Sequence, residues 1–296
     1  MKAQRRILVA FDGSKAAMES VHYLSRVTAL SGDKVVLYHV YSPLPEYYWD
    51  MEGYSDPVLY SDRLRESTAW ERQSKSVIEE KLAAAQHTLH LAGFQKNQVK
   101  LKIVDRQVGF ARDIIAEARN GYDLVVIGRK GTSDLAPAVF GGVSFKLLQK
   151  LDFLPLLLVG EVPAGKKALL AIDGSPCATS TLHQVGTWLV ASGFEVTLIY
   201  VIRAKGPEGF MQIASKWAED IVSAAGKGLS SNQIATKIVS GQRSRAEAIL
   251  HEADQGGFGT IVVGRKGLSD VKIFYTGRVC HKIVQVARKQ AVWIGT

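Results

Sequence analysis

The sequence predicts an α/β fold made of two similar units in tandem, each a doubly wound sheet of parallel strands. Two segments that occur twice support this prediction. Residues 7–14, Ile-Leu-Val-Ala-Phe-Asp-Gly-Ser, return as residues 168–175, Ala-Leu-Leu-Ala-Ile-Asp-Gly-Ser. The segment 124–134 is repeated at residues 260–270, and both copies contain Gly-Arg-Lys-Gly. Two matching segments in the same order indicate duplication of one unit.

Short apolar runs alternate with stretches of helical period, the pattern of parallel strands that are covered on both faces. The predicted strands are 6–11, 34–40, 98–104, 123–128 and 154–159 in the first half, and 167–172, 195–202, 233–239, 260–264 and 291–295 in the second. Ser14 and Ser175 are predicted N-caps, and 61–91 is predicted to be a long helix. This alternation favours an open doubly wound sheet in each half.

The joint between the units is predicted at 161–165, Glu-Val-Pro-Ala-Gly, which follows one strand and precedes the repeated one. This division gives domains 1–162 and 163–296. Because the joint is short, we expect the two halves to pack together rather than to swing freely.

The composition indicates a globular cytoplasmic protein. No run approaches 18 apolar residues, so no membrane-spanning helix is predicted. The apolar run 7–11 is too short for an export signal. Cys177 and Cys280 are the only cysteines, and two isolated cysteines fit a reducing compartment.

The net charge of +9 belongs mostly to the second half. Residues 1–162 carry 21 Lys and Arg against 19 Asp and Glu, whereas residues 163–296 carry 16 against 9. The basic residues are dispersed, which favours a solvated basic surface; a polyanion-binding face is the alternative. Nucleic acid is not a favoured partner.

A glycine-rich segment follows the fourth predicted strand. Gly128 and Gly131 are followed, after nine residues, by Gly141 and by Gly142-Val143-Ser144, which opens a helix. Glycines at a strand exit let the backbone approach a ligand, and the free N–H groups of a helix start can hold a phosphate. Tight turns with no ligand are the alternative.

The spacing Gly-x2-Gly-x9-Gly followed by Ser or Thr resembles the nucleotide-loop signature of universal stress proteins. The strand that leads into Asp12-Gly13-Ser14 and the closing strand after Pro155 are also similar to that family. The resemblance covers nearly the whole chain, twice. It implies Rossmann-like, adenine nucleotide alpha hydrolase-like domains with five parallel strands, paired through their last strands. The two halves would then form an internal pseudo-dimer, and a homodimer of whole chains also fits the resemblance.

The resemblance further implies that the first half binds ATP or another adenine nucleotide, with or without Mg²⁺. Asp12 matches the acidic residue near base and ribose, and Val40 matches the position that contacts adenine. The matched phosphate-loop and helix-start positions are Gly128, Gly131, Gly141, Gly142, Val143 and Ser144. Val143 and Ser144 are expected to supply backbone and hydroxyl donors. Gly142 departs from the pattern, since nucleotide-binding members usually have Ser or Thr there.

The second half departs further from the family pattern. The positions that keep the spacing are Asp173, Val201, Gly264, Gly267 and Gly277. Arg278 and Cys280 replace both hydroxyl positions. Arg278 could pair with a phosphate; we favour the alternative, in which its side chain fills a site that no longer binds nucleotide.

These features predict a stress-response protein whose first domain binds an adenine nucleotide as a sensor or regulator. The alternative is a protein-interaction scaffold in which both sites are degenerate. No catalytic residue and no metal site is predicted, and any ATP hydrolysis would be slow and incidental.

Residues 41–60 form a predicted insertion that has no counterpart in the second half. Its aromatic residues are Tyr41, Tyr47, Tyr48, Trp49, Tyr54 and Tyr60, and they are mixed with Glu46, Asp50, Glu52 and Asp56. A lid that stacks on a bound base is one hypothesis. Packing against the other half or a second chain is the alternative, which we favour.

Overall fold

The computed structural model describes residues 4–27, 30, 32–42, 57–129, 141–202, 210–225, 234–240, 244–267 and 276–296. The strands are β1 (Arg6–Ala10), β2 (Lys34–Tyr41), β3 (Val99–Asp105), β4 (Leu124–Gly128), β5 (Leu156–Val159), β6 (Lys167–Ile172), β7 (Glu195–Val201), β8 (Ile234–Val239), β9 (Thr260–Gly264) and β10 (Ala291–Gly295). The helices are α1 (Lys15–Arg26), α2 (Pro57–Leu91), α3 (Phe110–Ala118), α4 (Gly142–Lys150), α5 (Pro176–Ala191), α6 (Phe210–Ala225), α7 (Arg245–Gln255) and α8 (Arg278–Val286).

All these strands join one ten-stranded sheet, in the order β3-β2-β1-β4-β5-β10-β9-β6-β7-β8. Within each half the strands are parallel, and the second half repeats the order of the first in reverse. The prediction of two doubly wound parallel sheets in tandem is therefore confirmed.

The two halves meet where β5 pairs with β10 in the antiparallel direction, with Leu157 opposite Trp293. The last strand of one half thus lies beside the last strand of the other, as the family resemblance implies. This arrangement turns two five-stranded sheets into one and covers an edge that each half alone would expose.

Helices cover both faces of the sheet. One buried core contains side chains of α1, α2 and α5, including Leu24, Leu82 and Leu189. The other core contains side chains of α3, α4, α7 and α8, including Leu147 and Ile283. Each core extends over both halves of the sheet, so the halves share their interior.

An aromatic cluster packs α1 of the first half against the second half. Trp293 is fully buried, and its Nε1 donates a hydrogen bond to the Tyr23 hydroxyl at 3.0 Å. The Tyr23 hydroxyl also lies 2.8 Å from Thr260 Oγ1. The Trp188 and Trp293 rings are 5.8 Å apart between centroids, a favourable tilted contact. The expectation that the halves pack together is confirmed.

The predicted elements agree with the structure apart from their ends. The helix predicted at 61–91 begins at Pro57, and Tyr41 ends β2. Only residues 42–56 of the predicted insertion 41–60 therefore lie between elements, and Tyr47, Tyr48, Trp49 and Tyr54 fall outside the described residues. Among the described helices, none combines the length and apolar character needed to cross a membrane.

Candidate functional site

The Asp-Gly-Ser segment forms the same turn at the end of the first strand in each half. Asp12 Oδ1 accepts a hydrogen bond from the Ser14 amide at 2.9 Å, and Asp173 Oδ1 accepts one from the Ser175 amide at 3.0 Å. The glycine between them has a positive φ, +75° at Gly13, which other residues rarely adopt. The turn therefore fixes an aspartate at the carboxyl edge of the sheet, immediately before a serine-capped helix.

Gly128 ends β4 and lies against the start of α1. A Cβ atom at this position would be 2.6 Å from the backbone carbon of Ala16, closer than real contacts allow. The Gly128 carbonyl accepts a hydrogen bond from the Ser144 hydroxyl at 2.9 Å. This close packing draws the end of β4, the start of α1 and the start of α4 together.

The N-terminus of α4 faces the space above these strand ends. Gly141 is its N-cap residue and provides no side-chain cap. The first amides of a helix have no intrahelical acceptor and carry the positive end of the helix dipole, so this end is suited to a phosphate. The hydroxyl hydrogen of buried Ser144, which we expected to face a phosphate, is instead donated to Gly128.

A cavity of about 820 Å³ opens between these elements. Its described lining includes seven of the eight residues that the resemblance implied: Asp12, Val40, Gly128, Gly141, Gly142, Val143 and Ser144. Gly131 lies outside the described residues. The structure therefore brings the described members of the predicted site around one cavity at the carboxyl ends of β1, β2 and β4, where parallel sheets commonly bind ligands.

The same cavity has a further wall, of which the sequence analysis named only Tyr41. Its further lining residues include His39 and Tyr41 of β2, Val77, Ile78 and Lys81 of α2, and Phe110 of α3. The Lys81 ammonium donates to the Gly13 carbonyl at 2.8 Å, and the Tyr41 hydroxyl donates to the Glu71 carbonyl at 3.1 Å. His39 and Tyr41 are adjacent to Val40, and Tyr41 was named in the predicted insertion. The α2 residues and Phe110 are far along the chain and meet the site through packing.

His39 has a defined hydrogen-bonding state. Its Nδ1 lies 2.8 Å from the Phe11 carbonyl oxygen, which can only accept, so Nδ1 carries the hydrogen and Nε2 is an acceptor in the neutral ring. Burial lowers the pKa of His39, against the opposing effects of the Phe11 carbonyl and the Asp12 charge. The neutral ring is therefore the favoured form in the folded protein at neutral pH.

This lowered pKa predicts a loss of stability in mild acid. Because the unfolded chain binds a proton at His39 at a higher pH than the folded chain does, the free energy of unfolding falls as pH drops below about 6.5. His39→Asn keeps a side-chain N–H for Phe11 but does not titrate in this range. Urea unfolding at neutral and mildly acidic pH should show that the free energy of unfolding falls less in His39→Asn than in the wild-type protein. An equal fall in the free energy of unfolding in both proteins would contradict a lowered pKa for His39.

The second half has its own, smaller cavity of about 360 Å³. Its described lining includes all five residues that the sequence singled out there: Asp173, Val201, Gly264, Gly267 and Gly277. Arg278 lies exposed at the rim, and the cavity remains open beside it. The expectation that the Arg278 side chain fills this site is therefore wrong. Cys280 is buried in the lining, and burial raises the pKa of its thiol to about 12, so it stays protonated.

In each half, the residue after the first glycine of the loop is a buried arginine that contacts the other half. Arg129 follows Gly128 and donates to the Val284 carbonyl at 2.5 Å and to the Ala287 carbonyl, at the end of α8. Arg265 follows Gly264 and donates to the Leu148 carbonyl at 2.6 Å, near the end of α4. A cation at a helix C-terminus satisfies its last carbonyls and its dipole. These two loop cations therefore hold the halves together, a role that the repeated Gly-Arg-Lys-Gly did not reveal.

Comparisons with known proteins give the same fold. A universal stress protein from Archaeoglobus fulgidus DSM 4304 has a TM-score of 0.63 at 18% identity, over 99% of this chain and 98% of its own. A functionally unknown protein from Pseudomonas aeruginosa PAO1 has a TM-score of 0.54 at 17% identity, over 99% of this chain and 92% of its own. At these identities the likeness shows the fold alone. No curated protein matches this chain in sequence.

The family comparison covers both halves separately. The model of the universal stress protein family matches residues 4–160 and again residues 165–294. These two matches take in nearly all of the chain, and each contains one Asp-Gly-Ser turn and one glycine loop. The protein therefore belongs to the universal stress protein family.

Proposed function

We propose that the first domain, residues 1–162, binds ATP or another adenine nucleotide and that the chain acts as a cytoplasmic stress-response sensor or regulator. One observation carries this proposal: the 820 Å³ cavity joins the carboxyl ends of three parallel strands to the uncapped N-terminus of α4. That volume lies within the range of cavities that hold drug-sized ligands. The second domain, residues 163–296, has the smaller cavity and is not the proposed nucleotide site.

The phosphates would lie against α4. The amides of Gly142, Val143 and Ser144 form its first turn, and Gly141 precedes them without a side chain that would compete for these donors. Gly128 and Gly131 would let the loop backbone approach the phosphates. Mg²⁺ would be bound by the nucleotide and would neutralise charge on its phosphates.

The base and ribose would lie over the strand ends. Val40, which is buried at the end of β2, would contact adenine, and Asp12 would accept hydrogen bonds from the ribose. His39 also lines the cavity and has Nε2 as an acceptor, which suits an amino group such as that of adenine.

Binding, rather than turnover, is the proposed activity. Among the described lining residues, Asp12 is the one carboxylate, and its Oδ1 already accepts the Ser14 amide. A ligand that contacts β1, β2, β4 and α4 at once stabilises the folded state by mass action. A change in nucleotide level would thereby change the stability of the surface around the cavity, which is how such a protein can report on the state of the cell.

Gly142 provides the test because a side chain can be added there without a clash. Gly142 is exposed, and a Cβ atom would meet no atom within 4 Å. Gly142→Ser adds a hydroxyl beside the phosphates and should tighten ATP binding about tenfold relative to Gly142→Ala, since a hydrogen bond to a charged group contributes about 1.5–3 kcal/mol. Gly142→Glu should weaken binding by a similar factor, because its carboxylate repels the phosphates.

Titration calorimetry with ATP, ADP and AMP measures these affinities, and Gly142→Ala is the common control. A carboxylate at the start of a helix stabilises the helix, so weaker binding by Gly142→Glu could not be attributed to misfolding. Identical affinities for the Ser, Ala and Glu variants would refute the site. If neither these variants nor the wild-type protein bound a nucleotide, the interaction-scaffold alternative would be favoured.

A further inference from the structure

The cavity of the second half is surrounded by positive charge. Four cationic side chains line it: Arg245, Lys266, Arg278 and Lys282. All four residues are exposed, and no carboxylate among the described residues lies within 4 Å of any of their charged groups. Asp173 is the one carboxylate among the described lining residues. Four cations gathered around a concave site, with one carboxylate among the described lining residues, attract anions.

This charge distinguishes the two cavities. The described lining of the first cavity holds one lysine, Lys81, and one aspartate, Asp12. At matched positions, Arg245 at the start of α7 replaces Phe110 at the start of α3, and Arg278 replaces Gly142. The excess positive charge therefore comes in part from arginines at positions where the first half has uncharged residues.

The lining beneath these cations also favours an anion. Gly277 is the N-cap of α8 and provides no side-chain cap, so the first amides of this helix face the same space as Arg278. Arg265 does not line the cavity, since its guanidinium donates to the Leu148 carbonyl of the other half.

The space is smaller than the cavity proposed to bind nucleotide in the first half. At about 360 Å³ the cavity has less than half the volume of the first. The loop at Gly267 lies so close to Asp173 that a Cβ atom there would be 2.5 Å from Asp173 Oδ2. Asp173 and the loop at Gly267 thus lie in close contact at one side of the cavity.

We propose that the second cavity binds a compact anion with two or more phosphate groups, of the pyrophosphate and tripolyphosphate class. Arg278 and Lys282, one turn apart on α8, lie on the same side of that helix and can hold neighbouring phosphates together with its first amides. The proposal is independent of nucleotide binding in the first half, because it depends on different residues in a different cavity.

Titration calorimetry with orthophosphate, pyrophosphate and tripolyphosphate tests this inference. Affinity should rise along that series, with one tripolyphosphate bound per chain and weaker binding at higher salt. Arg278→Gly, which copies the first half, and Lys282→Gln should each weaken tripolyphosphate binding about tenfold. Lys289→Gln removes the same charge from an exposed position outside the cavity and should leave the affinity unchanged.

Titration with ATP distinguishes the source of the phosphates. If a second ATP molecule binds per chain and Arg278→Gly abolishes that binding, the phosphates in this cavity can belong to a nucleotide. If ATP does not bind there, the ligand is free polyphosphate. The proposal would be overturned if tripolyphosphate gave no heat, or if the Arg278→Gly and Lys282→Gln variants bound it as tightly as Lys289→Gln did. Equal affinity for the three inorganic anions would exclude the multiple-phosphate class.

Discussion

Replacing Gly128 with alanine should destabilise the protein by about 3 kcal/mol, because overpacking of this kind costs about 1–3 kcal/mol or more. The added Cβ would lie 2.6 Å from the carbon and 2.7 Å from the oxygen of Ala16. These are backbone atoms of α1, which cannot rotate away as a flexible side chain could. Either α1 moves away from β4 or the end of β4 shifts, and either change disturbs the carboxyl edge where the first cavity lies.

Two other glycines provide matched controls with the same substitution. At Gly264 the added Cβ would be 3.0 Å from the Ala178 amide and 3.1 Å from Cys177 Sγ, a tight but less severe contact. At Gly142 it would meet nothing within 4 Å. The loss in free energy of unfolding, measured by urea denaturation, should therefore decrease from Gly128→Ala to Gly264→Ala, and Gly142→Ala should lose no stability. Equal losses at Gly128 and Gly142 would contradict the close approach of α1.

Trp293→Ala should destabilise the chain by about 3–5 kcal/mol, as expected for a large buried aromatic side chain. Trp293 belongs to β10, pairs with Leu157 of the first half across the junction, and packs against Trp188 and Tyr23. Its removal leaves a cavity where the halves share their core and leaves the Tyr23 hydroxyl without its indole donor. Urea unfolding monitored by circular dichroism measures the loss.

Tyr23→Phe is the control for this prediction because it removes the hydroxyl and keeps the ring. It should cost about 1–2 kcal/mol, since Thr260 and Trp293 then lose a buried hydrogen-bond partner. If Trp293→Ala cost no more than Tyr23→Phe, the aromatic packing between the halves would contribute little, and the halves would be held mainly by the β5–β10 pairing and by Arg129 and Arg265.

The sequence was sufficient to predict the sheet. Buried parallel strands are continuous apolar runs, such as Leu124–Gly128, and a run of this kind is easily separated from an amphipathic helix such as α1. The predicted start of α2 at residue 61 was wrong because it did not use Asp56, a residue type favoured at the N-cap, directly before Pro57. Pro57 at the first helical position was a further indication.

The site was predictable where it depends on the local chain and not where it depends on packing. The resemblance to universal stress proteins implied a site that includes Asp12, Val40 and Gly128, and the structure places all three around one cavity. Lys81 reaches that cavity from the far part of a 35-residue helix, which no local pattern shows.

The arginines show the same limit in a different way. In the sequence, Arg129 and Arg278 each lie within a glycine-loop region, and the spacing does not show what either side chain contacts. The structure buries Arg129 against the end of α8 and leaves Arg278 exposed at the rim of the second cavity. Which of the two is available to a ligand is decided by how the halves pack, and this cannot be read from spacing.

The most direct test of the central claim is a crystal structure of the chain grown with a non-hydrolysable ATP analogue. We predict density in the first cavity, with the phosphates at the amides of α4 and the base beside Val40. An empty first cavity at saturating analogue would contradict the proposed nucleotide site.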